Sequence, residues 1–301
     1  MKSAALRRFY EATGFTVMRA AVLINIAALL GIIGLIVVNA WPAMTWEFLT
    51  EPPRDLMTKG GILPCIIGTF CLALGALVIA LPLGVASAVY LKEYSQPSVW
   101  VTLTRLSIAN LAGVPSIVFG LFGLTFFVVF CGFGVSLLSG ILTLAVLSLP
   151  IIINTTEAAL SQIPQDWREA SLALGASQRE TTLKVVLPNA LPGILTGSIL
   201  ALARAAGETA AIMYTGSVFF TPKEGVSLFD PVMALPYHIY VLATSGTSIE
   251  ATRPLQYGTA LVLLILVLLM SSAAIVIRER RRRRCGRSSS EQNILKSFKC
   301  L

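Results

Sequence analysis

Residues 154–192 read NTTEAALSQIPQDWREASLALGASQRETTLKVVLPNALP, a polar stretch set between two apolar runs. Its spacing predicts two short helices end to end. Asp166 stands as the N-cap of the first, Glu169 three residues on closes a capping box, and Gly175 supplies the left-handed residue that ends the helix. Ser177 caps the second, with Glu180 at its third position, and Pro188 is expected to stop it. Ala170, Ser171 and Ala173 leave a low surface on the first helix, onto which another protein can press. Two capped helices between apolar runs are built to hold a shape.

The apolar runs on either side define the class. The chain has 301 residues, 55% hydrophobic and 13% charged, where soluble domains carry about a quarter charged residues. Several runs approach the length of about 20 residues that spans a bilayer. A polytopic helical membrane protein follows, all-α because lipid satisfies no exposed backbone group. Six spans are expected: about 20–40, 62–91 with a break or tilt near Pro82, 106–130, 135–153, 193–214 and 257–277. The third carries Pro115, which should kink it. Residues 92–105 are expected as a short loop, and the fifth span opens with Gly193 and Gly197 at the spacing of closely packed helices. Residues 1–19 form an N-terminal segment, 20–277 the transmembrane domain with 154–192 as its polar loop, and 278–301 a basic tail.

The net charge of +8 gathers at the two ends and in short loops, which fits orientation in a membrane better than nucleic-acid binding. With six spans every basic cluster falls on one side, so both ends and the 154–192 loop share the cytoplasmic side. The arginines after Ile277 serve as an orientation anchor, with a lipid- or RNA-binding patch as the alternative. The first run is too long for a signal peptide, and Trp41, Pro42 and Trp46 after it read as an interfacial anchor. The long loop 215–256 lies on the outer side. Its middle, 231–241, is amphipathic and is expected to pack at the membrane surface or over a pore. Five cysteines and a lone His238 show no metal spacing, so neither a metal site nor a disulfide framework is expected.

Glu169-Ala170-Ser171, three residues, Gly175, nine residues, Val185, one residue, Leu187-Pro188 resembles the EAA loop of ABC importer permeases. Ser171 replaces the third Ala of that pattern and Val185 its Ile. The resemblance implies a type I importer permease fold of six transmembrane helices. It also implies that Glu169, Ala170, Ser171, Gly175, Val185, Leu187 and Pro188 dock into an ATP-binding subunit. The chain has no GxxxxGK[ST] of its own, so it holds no P-loop; neither a cofactor nor a catalytic residue is expected.

The fifth span, GILTGSILALARAAGETAAIMY over 193–214, carries Arg204 and Glu208 near its middle. Each charge at the bilayer centre costs about 2.5–3.5 kcal/mol on insertion scales. Spacing i, i+4 predicts both on one helix face. They are either a self-neutralising brace or an anion site, in which Arg204 offers a planar fork of donors and Glu208 accepts from a protonated oxyanion. Such a pair favours hydrogen phosphate over sulfate.

GVPSIVFG at 113–120, RAAGETA at 204–210 and ALPYHIY at 234–240 resemble the phosphate-specific branch of ABC importer permeases, and ALPYHIY its A-type subunit. That implies ATP-driven import of phosphate across a bacterial cytoplasmic membrane by alternating access. The implied partners are a homologous second permease, two ATP-binding subunits, an extracytoplasmic phosphate-binding protein and membrane lipid, with no nucleic acid. A same-family permease for sulfate or molybdate and a phosphate-sensing signalling subunit are the alternatives. An intramembrane enzyme would need a catalytic set that the spans do not contain.

Overall fold

The computed structural model describes residues 2–54, 59–221, 227–244 and 249–298. The side chains of the tail beyond Arg280, Cys285 and Cys300 among them, and those of Lys223, Glu224 and Glu250 lie outside the described residues. The helices are α1 (Lys2–Ala40), α2 (Trp46–Thr50), α3 (Leu63–Val89), α4 (Val99–Ala112), α5 (Ser116–Gly123), α6 (Leu137–Ser161), α7 (Gln165–Ala173), α8 (Gln178–Thr181), α9 (Leu187–Gly207), α10 (Ala210–Met213), α11 (Leu235–Thr244) and α12 (Ile249–Phe298). A two-residue antiparallel pair, β1 (Pro53–Arg54) with β2 (Lys59–Gly60), is the one sheet among the described residues. The fold is all-α. Among the described residues, five helical stretches are long and apolar enough to cross a membrane: Thr13–Ala43, Leu63–Tyr94, Leu137–Ser161, Gln178–Gly207 and Thr252–Arg280.

A bent pair of helices is the sixth candidate, a broken span or a re-entrant loop by its length and composition. Residues Val99–Ala112 and Ser116–Phe130 meet at 103° around Gly113, Val114 and Pro115, so this segment is two helices, not one kinked span beginning near residue 106. Ser98 starts the first of them by accepting from the Val101 amide at 3.3 Å, which places much of the expected loop 92–105 in α4. Pro115 has no amide hydrogen to continue the ladder and holds φ at −58°, which suits it to the N-cap of α5. By contrast Pro82 and Pro150 lie inside unbroken helices, and the expected break at Pro82 is absent.

The core is built around α6, the most enclosed of the spans. Leu72, Ala76 and Ala80 of α3 pack with Leu144 and Ile152 of α6, Ala201 of α9 and Ile212 of α10. Small residues set the spacing. A Cβ on Gly75 would come within 2.4 Å of Ile141 Cδ1, and one on Gly197 within 2.0 Å of Thr155 Oγ1, so α3 and α9 reach α6 at glycine distance. Gly193 meets Ala159 in the same way, one turn along. The faces turned away from this core are apolar: Leu23, Ile24, Leu29 and Leu30 of α1 and Leu268 and Leu269 of α12 are exposed, as lipid-facing residues must be.

The segment after α10 is threaded back into the bundle. Carbonyls of Thr215, Asp230 and Leu228 accept from the amides of Ser136, Leu137 and Leu138, which pairs donors that the start of α6 would otherwise leave bare. The Leu235 amide donates to Thr69 Oγ1 at 2.8 Å, and Gly68 lets the Met233 carbonyl approach α3 closely. Helix α11 then packs Leu235, Val241 and Leu242 with Phe48, Ile62, Cys65 and Val262. The stretch expected at the membrane surface or over a pore is largely buried in protein.

Candidate docking loop and intramembrane site

The loop is shorter than the polar stretch. Helix α6 continues to Ser161, and Leu187–Pro192 already belong to α9. Between them, α7 and α8 stand end to end. Pro164, at φ −57° and ψ 141°, takes the N-cap position of α7, and no side chain caps it. Asp166 is consequently in the first turn and closes no capping box with Glu169. Its charge there complements the positive end of the helix dipole.

Gly175 has φ +85°, the left-handed conformation. Its amide donates to the Leu172 carbonyl at 2.9 Å, and the Ala176 amide to that of Ser171 at 3.3 Å, the paired bonds of a Schellman ending. Ser177 and Glu180 form the reciprocal capping box of α8. Pro188 does not stop that helix. The chain passes through a π turn, Thr182–Val186, directly into α9, and Pro188 sits in the first turn of α9. A π turn widens the backbone just where the proline ring would meet a carbonyl one turn back, so the helical path survives.

Glu169, Ala170 and Gly175 are exposed, while Ser171, Val185, Leu187 and Pro188 are half-buried. The Ser171 and Thr181 hydroxyls lie 2.9 Å apart and tie α7 to α8. Four large apolar side chains that the motif does not include are exposed on the same loop: Trp167, Leu172, Leu183 and Leu174, the last 89% exposed. Apolar side chains outside the membrane-spanning core mark a surface that another molecule covers.

An ion pair holds this loop to the bundle. Arg168 of α7 grips Glu93 with two parallel bonds, Nη2 to Oε1 at 2.8 Å and Nε to Oε2 at 3.1 Å. Both side chains are largely enclosed, at 12% and 8% exposure. The same guanidinium donates to the carbonyls of Ile163 at 2.7 Å and Leu160 at 3.0 Å. Gln178 of α8 donates to the backbone carbonyl of Glu93. A polar cavity of about 580 Å³ lies among these groups, with Lys92, Gln162 and Thr182 on its wall.

The second candidate site is the end of α9. Arg204 occupies its last turn and is exposed. Helix α9 finishes at Gly207, and Glu208 has extended angles, φ −74° and ψ 130°. The two are therefore not on one helix face, and neither side chain makes a hydrogen bond or ion pair among the described residues. The brace that i, i+4 spacing predicts is not formed. Ala205 and Ala206 pack with Ala73 of α3 and Met270 of α12, both well inside their spans, which puts the break within the bundle's depth. Extended backbone at that depth is tolerated where it is buried in protein or lines a water-filled cavity. On the loop side, a crevice of about 680 Å³ between α6, α9 and α12 is lined by Thr155, Gly197, Ala203 and Arg278, and Arg278 donates to Thr196 Oγ1 at 3.0 Å. Among the described residues no group of three metal-ligating side chains comes together.

Spanning helices, a helix broken beside two charges, and an exposed apolar loop outside the core define the class: a membrane-embedded transport subunit. The chain belongs to the family of inner membrane components of binding-protein-dependent transport systems, whose profile matches residues 80–284. It is 34% identical to the probable ABC transporter permease protein YqgI of Bacillus subtilis, over 84% of this chain and 89% of that one. It is 36% identical to the phosphate transport system permease protein PstA 2 of Mycobacterium bovis, over 76% of this chain and 74% of that one. Among solved structures it resembles the inward-facing MetNI methionine ABC transporter, with a TM-score of 0.55 and 25% identity over 73% of this chain and 94% of the matched one. Members of this family are the permease part of ABC transporters, work with other ABC subunits, and are not themselves catalytic.

Proposed function

We propose that this chain is one of two homologous permease subunits of an importer that moves inorganic phosphate inward across the bacterial cytoplasmic membrane. Two ATP-binding subunits drive it and a phosphate-binding protein outside delivers the cargo. The observation that carries the reading is Arg204: an exposed arginine with no partner among the described residues, within the bundle's depth, at the end of a broken helix, in a chain 36% identical to a phosphate permease. Arginine presents a fixed fork of donors to a tetrahedral oxyanion. Glu208, just past the break, accepts from the P–OH of a protonated phosphate. Sulfate has no proton at neutral pH, so the same carboxylate repels it.

In this reading the loop of α7 and α8 faces the cytoplasm and docks an ATP-binding subunit through Glu169, Ala170, Ser171 and Gly175. Trp167, Leu172 and Leu174 add apolar contact, while Val185, Leu187 and Pro188 carry the chain back into α9. Both termini share that side with the loop. Closure of the ATP-binding subunits moves the loop, and the loop moves the spans between outward and inward access. The test is uptake by proteoliposomes containing the whole complex. Phosphate should be taken up with ATP hydrolysis, and excess sulfate or molybdate should not compete. Competition by either at equal concentration would transfer the reading to another oxyanion.

A further inference from the structure

We infer that Glu93 is the point through which the docking loop moves α3, and that its ion pair with Arg168 is a positioning link coupling ATP hydrolysis to transport. The inference rests on the docking reading of α7 and α8. Both loop helices hold the same residue: α7 through the two bonds from Arg168 to the Glu93 carboxylate, α8 through Gln178 to the Glu93 carbonyl. Arg168 simultaneously ties down the end of α6 through the Leu160 carbonyl and the turn into α7 through that of Ile163. One guanidinium thus closes a triangle of α3, α6 and α7, and the loop cannot shift without pulling on α3.

Two other ion pairs near the loop are unlike it. Lys184–Glu180 is at 74% and 49% exposure and lies within one helical stretch, where such a pair contributes little. Arg105–Glu157 joins α4 to α6 and touches neither α7 nor α8. Only Arg168–Glu93, among the described ion pairs, links the loop to a different span with both side chains enclosed.

Glu93 also sits where force is passed on. It belongs to the π turn Tyr90–Tyr94, which continues α3 without a gap. From there α3 runs past Gly84 against Ile152 and Gly75 against Ile141 to Ala73, which packs with Ala205 and Ala206 on the strand of helix carrying Arg204. From Glu93 to Ala73 is about 30 Å at helical rise, covered by one continuous helix. A displacement at the loop therefore reaches the break in α9 through packed side chains and a stiff element.

The test reconstitutes the complete transporter with wild-type chain, with Glu93→Gln, with Arg168→Lys, and with Arg168→Met and Glu93→Leu together. The double variant removes both charges and strands neither. Retention of the ATP-binding subunit in gel filtration, ATP hydrolysis and phosphate moved per ATP are measured on each. The double variant should retain the ATP-binding subunit and hydrolyse ATP within about two-fold of wild type, while phosphate moved per ATP falls at least five-fold. Arg168→Lys, which keeps the charge and loses the fork, should fall between. An assembled double variant with the wild-type ratio overturns the link. If the double variant does not assemble, Glu93→Gln decides: it keeps the shape and removes the charge, and a wild-type ratio in it overturns the link as well. Failure of the docking reading looks different: Leu174→Asp would then leave the ATP-binding subunit bound.

Discussion

Arg204 and Glu208 stand on opposite sides of the point where α9 ends: the arginine belongs to the last helical turn, the glutamate to extended backbone. Separate positions mean separate effects. Arg204→Gln should assemble normally and lose uptake about ten- to a hundred-fold, the equivalent of one charge-assisted bond of about 1.5–3 kcal/mol. Arg204→Lys should recover part of it. Glu208→Gln should mainly relax discrimination between phosphate and sulfate, because an amide can donate to an unprotonated oxyanion. The check is uptake of both anions by each variant with assembly followed in parallel. Near-normal phosphate uptake after losing both charges would reduce the pair to structural ballast.

Gly175 offers a cleaner test of the loop. A Cβ built there meets nothing within 4 Å in this chain, so a substitution costs backbone strain alone. Left-handed backbone costs about 1–2 kcal/mol for a non-glycine residue. Gly175→Val should therefore insert and fold, yet release the ATP-binding subunit during purification. Full retention of that subunit would separate this glycine from docking.

Gly197 is the opposite case. Its added Cβ would lie 2.0 Å from Thr155 Oγ1 and 2.6 Å from Thr155 Cβ, with α6 behind. Gly197→Val must push α9 off α6, and overpacking of that kind costs about 1–3 kcal/mol. The purified variant should unfold several degrees below wild type, which thermal unfolding in detergent measures. An unchanged midpoint would mean that α6 and α9 are not held this close.

Which of these features the sequence announces follows from how local they are. The capping box of Ser177 and Glu180, the left-handed Gly175 and the small residues at 193 and 197 are legible because each depends on a few neighbouring positions. The end of α9 is not, since alanines and a glycine around Arg204 continue a helix as readily as they break one. Pro188 misleads for a related reason: a π turn absorbs it, and nothing in composition marks a π turn. Arg168–Glu93 joins residues 75 positions apart, beyond the reach of any spacing rule.

Sidedness has a direct test. Ser161 ends α6 beside the docking loop and Ser227 lies in the segment after α10; both are exposed. Single cysteines placed there should react oppositely with a membrane-impermeant thiol reagent added to whole cells, Ser227→Cys reacting and Ser161→Cys protected. Reaction at position 161 from outside would put the loop on the wrong side for an ATP-binding subunit.

The last prediction concerns acid. His238 of α11 is 5% exposed, and its Nδ1 has no hydrogen-bond partner among the described residues. Burial holds its pKa down to about 4, against an ordinary value of 6.5. The folded protein therefore keeps this imidazole neutral, whereas the unfolded chain takes up a proton as pH falls below about 6.5. Stability tied to this group is complete above pH 6.5 and is lost as pH falls from there toward 4, at up to about 1.4 kcal/mol per pH unit. His238→Gln cannot take up that proton. Unfolding midpoints of wild type and His238→Gln, measured from pH 7.5 to 4.5 in detergent, should therefore differ in slope. Wild type should fall more steeply below pH 6.5, while at pH 7.5 the difference between the two reflects packing alone. Parallel curves across that range would mean that His238 reaches water, and with it that α11 is not sealed against α3 and α12.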